Sequence, residues 1–143
     1  MPKRTANAKW SGSVSEGDGT VALGSGAFEG PYSFTARTQE GASANSNPEE
    51  LIAGAHAGCF TMMLSHLLSE AGTPPETIES SAEVELRMSD LSISSIRLTT
   101  KARVPGLDDA AFQQIAVAAK EGCPVSKALA SVDEVTLDAT LES

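Results

Sequence analysis

The segment from Asn47 to Glu70 limits the possible folds more than any other, because it reads as one long helix that is apolar on nearly every side. Asn47 is a good N-cap, Pro48 suits the first helical position, and Glu50 stands where a capping-box acid belongs. Gly72, followed by Pro74 and Pro75, marks the end. The first half is built on Ala53, Gly54, Ala55, Ala57 and Gly58, which bury little area but let another backbone come close. Phe60, Met62, Met63, Leu64, Leu67 and Leu68 supply the bulk of the second half. A helix with no polar face must be covered all round. A chain of 143 residues with one other substantial helix has little to cover it with, and this mismatch predicts an obligate homodimer. Leu51 to Leu68 carries His56 and His66 among many Ala and Gly, so a buried core helix is expected there rather than a membrane span.

The rest of the chain alternates. Short strands are expected at Ala6 to Trp10, Thr20 to Leu23 and Tyr32 to Ala36, with a turn at Gly17-Asp18-Gly19 and a loop from Thr38 to Ser46. Beyond the helix, Ala82, Val84, Leu86 and Met88 alternate with Ser81, Glu83, Glu85 and Arg87. Ile96, Leu98, Thr100, Ala102 and Val104 alternate with Arg97, Thr99, Lys101 and Arg103. An acidic face on one strand and a basic face on the next favour their antiparallel pairing, with the turn near Asp90. A second helix is expected from Asp108 to Glu121, stopped by Gly122, then a short helix from Pro124 and a last strand from Glu134 to Glu142. The pattern is α+β with a mostly antiparallel sheet, in a single domain spanning residues 1–143.

A net charge of −9 argues against nucleic acid and against anionic membrane surfaces as partners. No apolar run follows Met-Pro-Lys-Arg-Thr-Ala, so no signal peptide is expected and the simplest location is cytoplasmic. In that compartment two cysteines suggest thiol chemistry more than a structural staple.

Those cysteines, Cys59 and Cys123, sit in different settings. Cys123 lies between Gly122 and Pro124, as the N-cap of the short helix, where unpaired backbone N–H groups favour a thiolate. A small residue buried at a tight junction explains it equally well. Cys59 is mid-helix and has no such help, so it is either inert core or made reactive by a nearby cation. His56 and Cys59 share a helix face three residues apart, but His66 lies about 10 Å further along the axis. With no Cys-x-x-Cys and no second His pair, a metal site is not expected, and His56 reads as a packed histidine or a modest electrostatic contributor.

Asn-Pro-Glu-Glu-Leu-Ile-Ala-Gly-Ala-His-Ala-Gly-Cys-Phe (Asn47 to Phe60), together with Gly-Cys-Pro-Val-Ser (Gly122 to Ser126), resembles the OsmC branch of the OsmC/organic hydroperoxide resistance protein family. The likeness runs from Ala8-Lys9-Trp10 through Tyr32-Ser33-Phe34-Thr35-Ala36-Arg37 to the final strand. It implies an OsmC-like α+β fold, with antiparallel sheets wrapped around long central helices in an intertwined homodimer. It also implies a thiol-dependent peroxidase that reduces organic hydroperoxides, and hydrogen peroxide less well. On this resemblance Cys59 matches the peroxidatic cysteine, Cys123 the resolving one, Glu49 the catalytic glutamate and Arg37 the branch's arginine. Arg4, the other early arginine, is the weaker candidate. The implied reductant is an external dithiol, a dihydrolipoyl group, with no metal, flavin or haem cofactor.

The residue types suit that chemistry. An arginine beside Cys59 would lower its pKa and stabilise the departing alkoxide, and a glutamate would hold the guanidinium. The sulfenic acid would condense with the Cys123 thiol, and the disulfide would be reopened by exchange. Two other readings stay open: a redox sensor using the same disulfide without turnover, and a binding protein for a hydrophobic small molecule that needs neither cysteine.

Glu49 and Cys59 are ten residues apart on one helix, about 15 Å along its axis and roughly 80° around it. A glutamate cannot span that within its own helix. The site is therefore expected to be composite, with Cys59 and Cys123 from one subunit and Arg37 and Glu49 from the other.

Overall fold

In the computed structural model, which describes residues 1–41 and 44–142, the chain divides into two compact units, Met1–Leu51 and Ile52–Ser143. The first contains an antiparallel sheet of order β1-β2-β3, formed by Ala6–Ser11, Asp18–Leu23 and Glu29–Tyr32, then the short helix α1 (Phe34–Thr38). Helix α2 (Pro48–Glu70) starts at its end. The second unit takes most of α2, a three-stranded sheet of β4 (Thr77–Arg87), β5 (Ser92–Arg103) and β6 (Glu134–Glu142), and helices α3 (Asp109–Gly122) and α4 (Pro124–Ala128).

Three local expectations change. The first turn precedes Gly17-Asp18-Gly19: Gly12 takes the left-handed conformation at φ 94, and Asp18 and Gly19 already belong to β2. Gly19 has to be small, because an added Cβ would meet the Trp10 and Tyr32 rings, whose centroids are 5.4 Å apart. The segment from Phe34 is helix rather than strand. The Ser33 hydroxyl accepts from the Ala36 N–H, and this local bond outcompetes a ladder that β3 has already ended. Third, Gly122 stays inside α3. The break falls at Cys123, at φ −62 and ψ 126, because the residue before a proline is driven out of the helical region. The expected 38–46 loop includes residues 42 and 43, which lie outside the described residues, and its first residue, Thr38, ends α1.

Helix α2 keeps its expected ends. The Asn47 side-chain oxygen accepts from the Glu50 N–H at 2.8 Å, and Gly72 has φ 84. The β4–β5 hairpin pairs antiparallel, with Glu83 opposite Arg97 and Glu79 opposite Lys101. Strand β4 starts earlier than expected because Ile78 and Ser80 extend its alternation. The last strand is the exception to the antiparallel rule: β6 runs parallel to β5, with α3 and α4 in the connection that a parallel pair requires.

The core lies in the second unit, where Phe60, Leu64 and Leu68 of α2 pack with Leu98 and Ala102 of β5 and Phe112, Ala116 and Ala119 of α3. His56, Phe60, Leu64 and Leu68, four residues apart, form the buried stripe of α2. Gly54, Gly58, Met62 and His66, also four apart, form an exposed one, and Met62 is 76% exposed. The helix is long and apolar enough, by length and composition, to cross a membrane. Its bulky buried stripe is committed to the sheet and α3.

Candidate active site

The four residues singled out in the sequence form two pairs, one in each unit. Helix α2 carries one member of each.

Arg37 sits in the last turn of α1, and Glu49 in the first turn of α2. Asn47 joins the two helices, since its side-chain nitrogen donates to the Ala36 carbonyl at 2.9 Å while its oxygen caps α2. Arg37 Nε and Nη2 both donate to Glu49 Oε1, at 3.0 and 2.9 Å. The guanidinium is held by one carboxylate oxygen, rather than by the two-oxygen fork that an arginine–carboxylate pair can form. Glu49 Oε2 is buried and has no hydrogen-bond partner among the described residues. A cleft of about 290 Å³ adjoins Arg37, and Trp10, Val14, Tyr32, Phe34 and Pro48 make its wall mainly apolar.

Cys59 and Cys123 are both unbridged, and their sulfurs lie 2.6 Å apart. Cys123 is fully buried and Cys59 partly so. Burial pushes the Cys59 thiol up, and its hydrogen bond to Cys123 adds to this; the Val125 N–H acts the other way. Burial opposes ionisation of Cys123 as well. Its pKa is nevertheless lowered, by the hydrogen-bond contact with Cys59 and by the Ser126 and Val125 groups around it. Cys123 is the expected N-cap of α4, and within one chain it is the more acidic thiol of the two. Nothing within its own pair supplies Cys59 with a cation.

His56 and Ser126 complete the second pair's surroundings. His56 is fully buried on α2, and its Nε2 lies 2.7 Å from Ser126 Oγ. The sequence reads His56 as a packed histidine or a modest electrostatic contributor and gives Ser126 no role. The available signal was spacing: Ser126 follows Cys123 by three residues across a proline helix start. Among the described residues no three His, Cys, Asp or Glu side chains group as they would around a metal ion.

The family model described as OsmC-like protein matches residues 41–138. Over 143 residues the chain is 42% identical to peroxiredoxin OsmC of Escherichia coli, covering 98% of this chain and 97% of that protein. The chain belongs to the OsmC family. A more distant relative, organic hydroperoxide resistance protein OhrB of Bacillus subtilis, is 33% identical over 98 residues, covering 65% of this chain and 68% of that protein. Among solved structures, an organic hydroperoxide resistance protein OsmC of Legionella pneumophila superposes with a TM-score of 0.69 at 23% identity, covering 97% of each chain. The α+β architecture with two small sheets is thus that of OsmC-family proteins, and the resemblance carried by the two cysteine motifs holds for the family.

Proposed function

We propose that this OsmC-family chain is a cysteine-based peroxidase that reduces organic hydroperoxides, and hydrogen peroxide less efficiently, through a Cys59 sulfenic acid and a Cys59–Cys123 disulfide. The observation that carries the reading is the approach of the two free sulfurs to 2.6 Å in a largely buried setting. Thiols so placed can exchange one oxidation for one disulfide. The names of the Escherichia coli and Bacillus subtilis relatives, a peroxiredoxin and an organic hydroperoxide resistance protein, point the same way.

In the proposed cycle the Cys59 thiolate attacks the distal peroxide oxygen, the O–O bond breaks, and the alkoxide leaves as alcohol after taking a proton. Arg37 stabilises both the thiolate and the departing oxygen. Glu49 fixes Arg37 through Oε1, and its Oε2, without a partner among the described residues, is available to accept a hydroperoxide O–H. The apolar cleft at Arg37 suits an organic group better than hydrogen peroxide. Cys123 then attacks the sulfenic sulfur, releasing water, and an external dithiol reopens the disulfide by exchange. A dihydrolipoyl group is the proposed reductant, and no metal or organic cofactor takes part.

The proposed assembly is a cytoplasmic homodimer with intertwined subunits. Its support is the exposed stripe Gly54, Gly58, Met62 and His66 on an otherwise core-forming helix, with open space above both glycines. Helix geometry separates Glu49 from the Cys59 of its own chain by about 15 Å, so the proposed site draws Arg37 and Glu49 from the partner.

Turnover is the test. With reduced lipoyl dithiol, the protein is expected to consume cumene or tert-butyl hydroperoxide continuously and hydrogen peroxide more slowly. One equivalent consumed and no turnover with any dithiol would instead leave a redox sensor. Binding of apolar ligands unaffected by Cys59→Ser plus Cys123→Ser, without peroxide consumption, would leave a binding protein.

A further inference from the structure

Helix α4 has little of its own to hold it in place. It is five residues long, well below the length at which a helix stands alone, its Cys123 N-cap makes no side-chain cap bond, and none of its residues is buried. A bond of 3.1 Å from the Lys127 N–H to the Cys123 carbonyl closes its single turn, with Ser126 inside it. Among the described residues, two side-chain-to-side-chain bonds tie this turn and its cap to α2. One is the contact between the Cys123 and Cys59 sulfurs at 2.6 Å, and the other pairs His56 Nε2 with Ser126 Oγ at 2.7 Å. His56 is fully buried, and its Nδ1 has no partner among the described residues. Burying an imidazole is costly unless it is hydrogen-bonded, and the bond to Ser126 is the one that offsets the cost here.

The two ties run side by side. His56 precedes Cys59 by three residues on α2, and Ser126 follows Cys123 by three. Oxidation separates them. Once Cys59 carries oxygen, the thiol-to-thiol contact is lost, while the imidazole–hydroxyl bond takes no part in the chemistry and persists. We propose that the His56–Ser126 hydrogen bond is a clamp that holds α4 against α2 while Cys59 is oxidised, keeping Cys123 within reach of the Cys59 sulfur. Both residues act through the placement of α4 and are positioning residues. The clamp rests on the peroxidase reading only for how Cys59 comes to be oxidised. In the step it serves, the Cys123 sulfur attacks the sulfenic sulfur of Cys59, the S–S bond forms and the S–O bond breaks. The hydroxide leaves as water with the proton that Cys123 gives up. The competing step is a second hydroperoxide: the Cys59 sulfenate attacks its distal oxygen, the O–O bond breaks, and a sulfinic acid and an alcohol result. Holding Cys123 close favours the first step over the second.

The test has two arms. In the first, the equilibrium constant for the Cys59–Cys123 disulfide is measured in mixtures of reduced and oxidised dithiothreitol, with no peroxide present. Loss of a preorganising hydrogen bond is expected to lower it about threefold to tenfold in Ser126→Ala and in His56→Leu. It should recover in His56→Gln, whose amide can pair with the Ser126 hydroxyl from near the position of Nε2. The double variant His56→Leu plus Ser126→Ala should be no worse than either single one, because both remove the same bond. In the second arm, the sulfinic fraction at Cys59 is followed by mass spectrometry under rising hydroperoxide, and it should appear at lower concentrations in Ser126→Ala. An unchanged equilibrium constant in Ser126→Ala would overturn the clamp, and this half-buried position keeps the test available should a His56 variant fold poorly. Equal losses in His56→Leu and His56→Gln, or an additive double variant, would overturn it too, by marking a packing effect. Where hydroperoxide oxidises Cys59, a sulfinic fraction that stays at the parent value would do the same. If the constants shift as expected but hydroperoxide never oxidises Cys59 in the parent protein, the clamp stands and the peroxidase reading falls.

Discussion

Arg37→Ala is expected to slow hydroperoxide reduction by about a hundredfold to a thousandfold, the scale of removing one preorganised donor from a developing oxyanion. The reason is the imbalance between the two thiols. Burial and the hydrogen bond to Cys123 both push the Cys59 thiol up, while Cys123 is held below its ordinary value. A peroxidatic Cys59 therefore requires a positive charge from outside its own pair, and in the proposed mechanism Arg37, which donates to Glu49, supplies it. An opposite charge favours the ionised form, so its removal moves the pH profile of Cys59 alkylation upward. Alkylation of Cys59 in a Cys123→Ser background reads this directly. Superimposable profiles with and without Arg37 would remove the arginine from the mechanism.

Mixed dimers of Cys59→Ser and Glu49→Ala subunits, each inactive alone, are expected to recover one working site per heterodimer, about half the wild-type activity per dimer if the two sites act independently. On α2, Glu49 and Cys59 are separated by nearly three helical turns, whereas Arg37 is bonded to Glu49 within the first unit. A composite site pairs the cysteines of the Glu49→Ala chain with the intact Arg37 and Glu49 of the Cys59→Ser chain. A verified heterodimer with no activity would place all four residues of each site in one chain.

Much of this was legible because the signals were local. The caps of α2, Asn47 with Pro48 at one end and Gly72 at the other, act within a few residues, and the structure keeps both. The alternation of β4 and β5 encodes its own register through Glu83–Arg97 and Glu79–Lys101. Where the reading failed, a side chain competed with the pattern. Ser33 captured a backbone N–H and turned an alternating segment into α1, which carries Arg37 on a helix rather than a strand. The direction of β6 was invisible to periodicity, since a strand reads alike in either sense and only the α3–α4 connection decides it. Within the site, the residue types of Arg37, Glu49, Cys59 and Cys123 could be matched to motifs. The Ser126 hydroxyl and the buried His56 form a relation across 70 positions that no local spacing reveals. The relative acidity of the two thiols was hidden for the same reason, because it depends on which N–H and O–H groups crowd each sulfur.

The Cys59–Cys123 chemistry is read out by treating the reduced protein with one equivalent of an organic hydroperoxide and mapping the cysteines by mass spectrometry. An intrachain Cys59–Cys123 disulfide is expected in the wild type, and sulfenic or over-oxidised Cys59 in Cys123→Ser. Sulfenylation of Cys123 in Cys59→Ser with peroxide reduction retained would contradict it.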